Sequence, residues 1–249
     1  MLFLCATSYN AIGDMMKRMT VLLLAICLLC GCAARNLSVR ETAVEEETKE
    51  NCYVALTLDD GPTAKYTAKL LDGLKERGVH ATFFLIGSLV EENKELVQRM
   101  KAEGHQIGNH SYDHAKLTEM NCATALADIA HGDEVLREVL GEGEYWVRPP
   151  YGFIGEETCC AVAAPLISWS VDTVDWQSKN VGEILDIIYR DYEDGAIILM
   201  HDQYATSVDA ALQAIDHLQA QGVRFVTVQE LFRCKAIEPA CGKLYRMAK

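Results

Sequence analysis

The chain has 249 residues, enough for one domain of barrel size with an appendage or for two small domains. Half of the residues are hydrophobic, so a large core can form. The 36 acidic residues outnumber the 23 basic ones, and the formal net charge is -13. This balance argues against a nucleic-acid partner, because phosphates need a basic binding surface.

The N-terminal residues have the pattern of an export signal. Lys17 and Arg18 precede an apolar run at residues 21–29, which is too short to cross a bilayer as a helix. The run ends in Leu29-Cys30-Gly31-Cys32, which resembles the lipobox of bacterial lipoproteins. The resemblance implies cleavage before Cys32 and lipidation of that cysteine. An uncleaved membrane anchor is the alternative, and it would also leave the domain outside the cell.

This interpretation predicts three segments of the chain. Residues 1–32 are the signal, with Met15, Met16 or Met19 as alternative translation starts. Residues 33–51 are polar and acidic without periodicity, which predicts a flexible tether. Residues 52–249 are the folded domain. We therefore expect an exported protein held at the outer side of the cytoplasmic membrane or in the cell envelope.

Six of the ten cysteines lie beyond the signal. An exported location permits disulfides, and free buried thiols are an equal alternative. Cys234 with Cys241 is the first candidate pair because the two flank a short C-terminal loop. The sequence does not determine which of the six cysteines pair with one another. These cysteines are Cys52, Cys122, Cys159, Cys160, Cys234 and Cys241.

From residue 52 onward, short apolar runs alternate with helical patterns. One helix is predicted over residues 88–103, opened by a capping box of Ser88 and Glu91. Others are predicted to begin at Asn180 and to end before Gly222. About seven strand–helix units predict a parallel sheet closed as a barrel, with an open doubly wound sheet as the alternative. The predicted strands are residues 53–58, 81–86, 106–108, 145–148, 166–170, 196–200 and 224–228.

Two polar clusters suggest a metal site. Asp59 and Asp60 are adjacent carboxylates at the end of a buried strand, where a simple Asp-Asp-Gly-Pro turn is the plainer interpretation. His110 and His114 favour a metal site over a simple turn, because two histidines four residues apart can bind one metal on one turn. Successive strand residues point to opposite sides, so Asp59 and Asp60 are expected to have different roles.

Unusual polar residues recur at the carboxyl ends of the predicted strands, the face where barrel enzymes have their active sites. Singly, each would be read as a loop residue or a core histidine, but five agreeing strand ends make coincidence a poor explanation. They are Asp59, Asp60, His110, His114, Arg148, Asp172, Asp175 and His201.

Five motifs in order make residues 52–231 resemble the polysaccharide deacetylase family, the NodB-homology domain of carbohydrate esterase family four. The resemblance implies a distorted (β/α) barrel of about seven parallel strands. The motifs are Thr57-Leu58-Asp59-Asp60, His110-Ser111-Tyr112-Asp113-His114, Arg148-Pro149-Pro150-Tyr151-Gly152, Asp172-Thr173-Val174-Asp175-Trp176 and Leu199-Met200-His201.

The same resemblance implies a metal centre and a base. Asp60, His110 and His114 would hold one divalent metal, with zinc first and cobalt, nickel or iron as alternatives. Asp59 would be the base that takes a proton from water, with Arg148 orienting it.

The remaining motif residues would complete the reaction. His201 would be the acid that protonates the leaving nitrogen, held in its charged form by Asp175. The backbone N–H of Tyr151 would stabilise the oxyanion. Trp176 and Leu199 would line a slot for the acetyl methyl group, with a plain core aromatic as the alternative interpretation of Trp176.

The expected function is metal-dependent removal of N-acetyl groups from an extracellular glycan, with the N-acetylglucosamine of peptidoglycan as the leading substrate. Chitooligosaccharides and acetylated xylan are alternative substrates for the same mechanism. A non-catalytic glycan-binding domain is the alternative of another class. The expected partners are a cell-envelope glycan and a membrane, reached through a lipid or signal anchor.

Overall fold

The computed structural model describes residues 52–249. The predicted signal, the Cys32 lipidation site, the alternative starts and the tether all lie outside the described residues. No helix between residues 52 and 249 is long and apolar enough to cross a membrane.

Strands and helices alternate along the described chain, as the sequence predicts. The strands are β1 (Tyr53–Gly61), β2 (Thr82–Leu85), β3 (Gln106–Asn109), β4 (Leu166–Ile167), β5 (Val171–Asp172), β6 (Ile197–His201), β7 (Arg224–Phe225) and β8 (Leu244–Tyr245). The α-helices are α1 (Tyr66–Glu76), α2 (Gly87–Val90), α3 (Lys94–Ala102), α4 (Cys122–Leu140), α5 (Glu156–Ala161), α6 (Asp175–Ser178), α7 (Val181–Asp191), α8 (Ala205–Ala220) and α9 (Val228–Cys234).

The strands form a distorted barrel. The main sheet has the order β3-β2-β1-β6-β5, with β7 also paired to β1, and all of these pairings are parallel. Val147 makes parallel bridges to Asn109 and to Leu166, and so connects β3 to β4. Strand β4 pairs with β8, and Met247 then bridges to Ala196 just before β6. These pairings close a ring, which confirms the predicted fold class.

Strand β1 is the central strand of the main sheet and is buried on both faces. Leu56 and Leu58 belong to the large apolar cluster formed with the surrounding helices. Ala55 belongs to a second cluster, together with Phe84 and Ile197. A strand covered on both faces reads as a continuous apolar run, which explains why the sequence pattern here is unbroken rather than alternating.

Several predicted elements differ in detail. Residues 145–148 form no strand, because only Val147 makes ladder bridges. Of the predicted strand at 166–170, only residues 166–167 form a strand (β4); β5 begins just beyond it at Val171, and β8 has no counterpart in the prediction. Val228 begins α9 instead of ending β7, because Thr227 and Glu230 form a capping box there.

The predicted capping box of Ser88 and Glu91 is wrong. Ser88 lies inside the short helix α2, whose N-cap is Ile86 with no side-chain cap. A 3-10 turn at Glu91–Asn93 then separates α2 from α3. By contrast, Asn180 caps α7 as predicted, since its side chain accepts hydrogen bonds from the N–H groups of Gly182 and Glu183.

The six cysteines of the described chain are all free. Cys234 and Cys241, the first candidate pair, are both exposed, so neither the predicted disulfide nor the buried-thiol alternative describes them. Cys159 is half-buried, and its thiol donates to the Gly242 carbonyl oxygen at 3.4 Å.

Candidate active site

The end of β1 carries the two adjacent carboxylates. Asp60 has a left-handed backbone (φ 67°), and the β1–β2 register shifts between Asp59 and Gly61. This bulge breaks the alternation of side chains. As a result, Asp59 Oδ2 and Asp60 Oδ1 lie 3.6 Å and 3.4 Å from the same His110 Nε2. The expectation that the two side chains point to opposite sides is therefore wrong, because it assumes a regular strand.

Asp59 is one half of a buried ion pair. Arg148 Nη1 donates to Asp59 Oδ1 and to Thr57 Oγ1, both at 2.7 Å, and Nη2 donates to the Ser168 carbonyl at 2.9 Å. The guanidinium is fully buried and lies 4.1 Å from the centroid of the Phe84 ring. Burial lowers the pKa of Arg148, and the charge and hydrogen bond of Asp59 oppose that shift. The pair fixes the direction of the Asp59 carboxylate.

The two histidines lie on an irregular loop after β3, not on a helical turn. Ser111 and His114 both have left-handed backbones, with φ 63° and 56°. Ser111 Oγ accepts a hydrogen bond from the His114 N–H at 3.1 Å. His110 Nδ1 lies 2.6 Å from the Arg148 carbonyl oxygen, which leaves Nε2 facing the carboxylates. Residue spacing alone predicts that the histidines can meet, but not the loop that brings them together.

Asp60, His110 and His114 form the candidate metal centre. One ligand atom from each lies within 4.8 Å of the others, the only such group among the residues described. Asp60 Oδ1 is 3.1 Å from His114 Nε2 and is buried without a hydrogen-bond partner. Burial acts to raise the pKa of Asp60, but His110 and His114 hold it well below its usual range. Two imidazoles and one ionised carboxylate fit zinc and the other borderline divalent metals.

His201 ends the neighbouring strand β6, and Asp175 is the first residue of helix α6. His201 is opposite Asp59 in the β1–β6 register. Its Nδ1 lies 2.8 Å from Asp175 Oδ1, and its backbone N–H donates to Oδ2 at the same distance. Burial acts to lower the pKa of His201, but Asp175, helped by Asp59 and Asp60, raises it to about 9. His201 Nε2 lies 4.0 Å from Asp60 Oδ2 and so faces the metal centre.

The remaining candidates flank this centre. Tyr151 has a left-handed backbone (φ 60°), and its ring lies 4.7 Å from the His114 ring. Tyr151 and Trp176 are 53% and 50% exposed, so Trp176 is not an interior core aromatic. Leu199 is buried on β6, and its carbonyl accepts a hydrogen bond from Thr173. Asp172 is exposed and holds a turn by accepting from the Val174 N–H, so it is not part of the centre.

Sequence reasoning missed Asp202, which follows His201 directly. It is a fully buried carboxyl group, and burial raises its pKa to about 7, although a hydrogen bond from Thr67 opposes the shift. Its position next to a motif histidine was a usable signal, but an aspartate after a strand usually reads as a turn residue.

A cavity of about 810 Å³ lies elsewhere, between α4, α5 and α9. Leu126, Trp146 and Phe232 line it, but none of the candidate catalytic residues does. The candidate active site instead reaches solvent, since the side chains of Asp60 and His114 are 20% and 21% exposed and Tyr151 is half exposed beside them. An accessible site suits a polymeric substrate better than an enclosed cavity would.

A buried carboxylate beside a two-histidine, one-carboxylate centre, with a charged imidazole opposite, is typical of metal-dependent hydrolases. It lies at the carboxyl ends of the barrel strands, where barrel enzymes have their active sites. Residues 46–165 match the family described as polysaccharide deacetylase. This chain belongs to the polysaccharide deacetylase family, as the five motifs predict.

Individual proteins that are similar to this chain are also named as deacetylases or as a family 4 esterase. The chain is 39% identical over 186 residues to the peptidoglycan-N-acetylglucosamine deacetylase PgdA of Listeria monocytogenes, covering 75% of this chain but 40% of that protein. The structure of the peptidoglycan deacetylase PdaC from Bacillus subtilis matches with 39% identity and a TM-score of 0.73, covering 75% and 93% of the two chains. A family 4 acetyl xylan esterase from Clostridium thermocellum, in complex with a cobalt ion, matches with 29% identity and a TM-score of 0.74, covering 78% and 98%.

The Asp175–His201 pair predicts a pH dependence. The charged imidazolium is lost as pH rises through its raised pKa of about 9, so the alkaline limb of the rate profile should lie there. Asp175→Asn removes the largest influence that raises this pKa, and the limb should move to lower pH. The measurement is kcat/KM against pH for both proteins. An alkaline limb that stays in place or moves upward would exclude His201 as the acid.

Proposed function

We propose that this chain is a metal-dependent N-deacetylase of an extracellular N-acetylated glycan, with peptidoglycan N-acetylglucosamine as the leading substrate. The observation that carries the proposal is the arrangement around Asp60. Asp59 and His201 are register partners on β1 and β6, and each approaches the group formed by Asp60, His110 and His114. Asp59 Oδ2 lies 3.6 Å from His110 Nε2, and His201 Nε2 lies 4.0 Å from Asp60 Oδ2. Amide hydrolysis needs a base and an acid near one reacting carbon, and this arrangement offers both.

Asp59 is assigned the role of base because it is not one of the three proposed metal ligands and because its carboxylate is oriented by Arg148. It accepts a proton from the attacking water. The hydrogen bond from Arg148 occupies Oδ1, so Oδ2, 3.6 Å from His110 Nε2, is the oxygen that faces the centre.

His201 is assigned the acid because it is charged at neutral pH and holds its Nε2 towards the centre. Asp175 keeps the ring in this orientation through Nδ1. His201 donates its Nε2 proton to the departing amine nitrogen, whose bond to the acyl carbon would otherwise break slowly.

A bound divalent metal held by Asp60, His110 and His114 would lower the pKa of water and polarise the acetyl carbonyl. The backbone N–H of Tyr151, whose ring lies 4.7 Å from the His114 ring, is assigned as a hydrogen-bond donor to the oxyanion. Leu199 and Trp176 are assigned to the acetyl methyl group. Zinc is the proposed metal, and cobalt, nickel and iron are the alternatives.

The names of the similar proteins support an acetylated glycan as the substrate. The Listeria and Bacillus proteins are named as peptidoglycan deacetylases, which favours peptidoglycan here. The name of the Clostridium protein keeps acetylated xylan as an alternative, and chitooligosaccharides remain another. A non-catalytic glycan-binding domain is disfavoured because base, acid and metal ligands are all present in this chain.

The proposed location is the cell envelope, with the domain anchored to the membrane through Cys32. The support is the order of charged residues, apolar run and lipobox-like ending at residues 17–32. Such an anchor would hold the enzyme close to peptidoglycan.

The proposed function is tested by release of acetate. The metal-stripped protein is incubated with peptidoglycan fragments, chitooligosaccharides and acetylated xylan, with and without added zinc. We expect zinc-dependent acetate release, fastest from the peptidoglycan fragments. Faster release from xylan would change the substrate, and no release with any metal would support the non-catalytic alternative.

Removing one ligand tests the metal centre. His114→Ala should lose the bound metal and nearly all turnover, because the remaining Asp60 and His110 supply only two ligands. Elemental analysis of the purified variant measures the metal. Asp172→Ala is the matched control, since Asp172 lies in a neighbouring motif but is exposed and outside the centre. Full metal occupancy in His114→Ala would mean that the ligand set is wrong.

Labelling tests the anchor. The full chain expressed in a bacterial host should incorporate labelled palmitate and partition into detergent. Cys32→Ser should abolish the label and leave acetate release intact, whereas Cys30→Ser should keep it. A label that persists in Cys32→Ser would point to another cysteine or to an uncleaved signal anchor.

A further inference from the structure

Asp202 is a fully buried carboxyl group that directly follows His201 at the end of β6. One of its carboxyl oxygens accepts a hydrogen bond from Thr67 Oγ1, while Oδ1 is buried without a partner among the described residues. Thr63 Oγ1 donates to its backbone carbonyl at 2.9 Å. A buried carboxyl group that is only partly hydrogen-bonded is costly to keep, which argues that its presence serves a purpose other than stability.

The Asp202 carboxyl group lies directly against Gly61, the residue after the proposed ligand Asp60. A β-carbon placed on Gly61 would lie 2.6 Å from Asp202 Oδ1 and 2.8 Å from Oδ2. Real β-carbons do not approach other atoms this closely, so a side chain at residue 61 would force the turn or the Asp202 carboxyl group to shift. The backbone of the turn and the Asp202 side chain therefore set each other's position.

This turn is held in a conformation that a non-glycine residue rarely adopts. The left-handed backbone of Asp60 is strained and persists only where the surroundings enforce it. The Ile86 N–H donates to the Gly61 carbonyl at 3.1 Å, and Gln203 Nε2 donates to the Asp60 carbonyl at 3.2 Å. Asp202 supplies the third contact, on the Gly61 α-carbon.

We propose that Asp202 is a positioning residue for the metal centre: through Gly61 it holds the Asp60 backbone where the Asp60 carboxylate meets His110 and His114. It acts on metal affinity without being a ligand. The inference rests on the metal site of the proposed function, and it adds a residue that the ligand set does not contain.

The test measures the zinc dissociation constant of the metal-stripped full chain by competition with a chromophoric chelator. Asp202→Ala should weaken zinc binding about 10- to 100-fold, the usual effect of losing a group that orients a ligand. Asp202→Asn should bind zinc nearly as well as the unchanged protein, because the amide keeps the shape and the contact with Thr67. Asp209→Ala, which removes an exposed aspartate from the following helix α8, is the control.

A double-mutant cycle separates positioning from general destabilisation. Gly61→Ala alone should weaken zinc binding, because its β-carbon displaces the turn from Asp202. Adding Asp202→Ala removes the clash, so Gly61→Ala/Asp202→Ala should bind zinc more tightly than Gly61→Ala. Circular dichroism and thermal unfolding identify the variants that remain folded.

Two results would overturn the inference. One is zinc affinity in folded Asp202→Ala or folded Gly61→Ala equal to that of the unchanged protein. The other is an effect of Gly61→Ala that is the same with aspartate or alanine at residue 202. If the unchanged protein itself bound no zinc, the metal site of the proposed function would fail, and this outcome is distinct from either of the two.

Discussion

The buried ion pair between Arg148 and Asp59 is the interaction on which the rest of the site depends. A guanidinium that is fully buried must be neutralised, because an isolated charge in the interior costs several kcal/mol. Asp59 supplies the opposite charge, and Thr57 Oγ1 and the Ser168 carbonyl oxygen accept further hydrogen bonds from the guanidinium. The Arg148 carbonyl in turn orients His110. One arginine thus fixes both the proposed base and a proposed metal ligand.

The bulge at the end of β1 is the second constraint. A regular strand would send Asp59 and Asp60 to opposite faces, and only one of them could reach His110. The left-handed Asp60 brings both carboxylates to the same imidazole while leaving Asp59 on Arg148. Because β6 runs parallel beside β1, His201 then lies opposite Asp59. The proposed base, metal ligand and acid are within one site because two adjacent strands, β1 and β6, end together.

Much of the fold and of the candidate site could be predicted from the sequence. The unbroken apolar run before Asp59 predicts a strand buried on both faces, and the motif order predicts the barrel and the grouping of Asp60, His110 and His114. The failures lie where local pattern does not determine backbone geometry. Pattern reasoning could not foresee the bulge, the irregular loop between His110 and His114, or the single bridging residue Val147. Asp202 was missed because its role depends on contact with Gly61, which lies 141 residues earlier in the chain.

Asp59 is proposed to act as the base without holding the metal, and Asp59→Asn tests this role most directly. Replacing it leaves the Arg148 charge partly unpaired, so stability should fall by on the order of 3 kcal/mol, and the assay belongs well below the unfolding temperature. Zinc occupancy and kcat are measured on the same folded sample. The account predicts full zinc occupancy with kcat lowered at least about 10²–10⁴-fold. Loss of zinc, or retention of kcat with zinc bound, would contradict it.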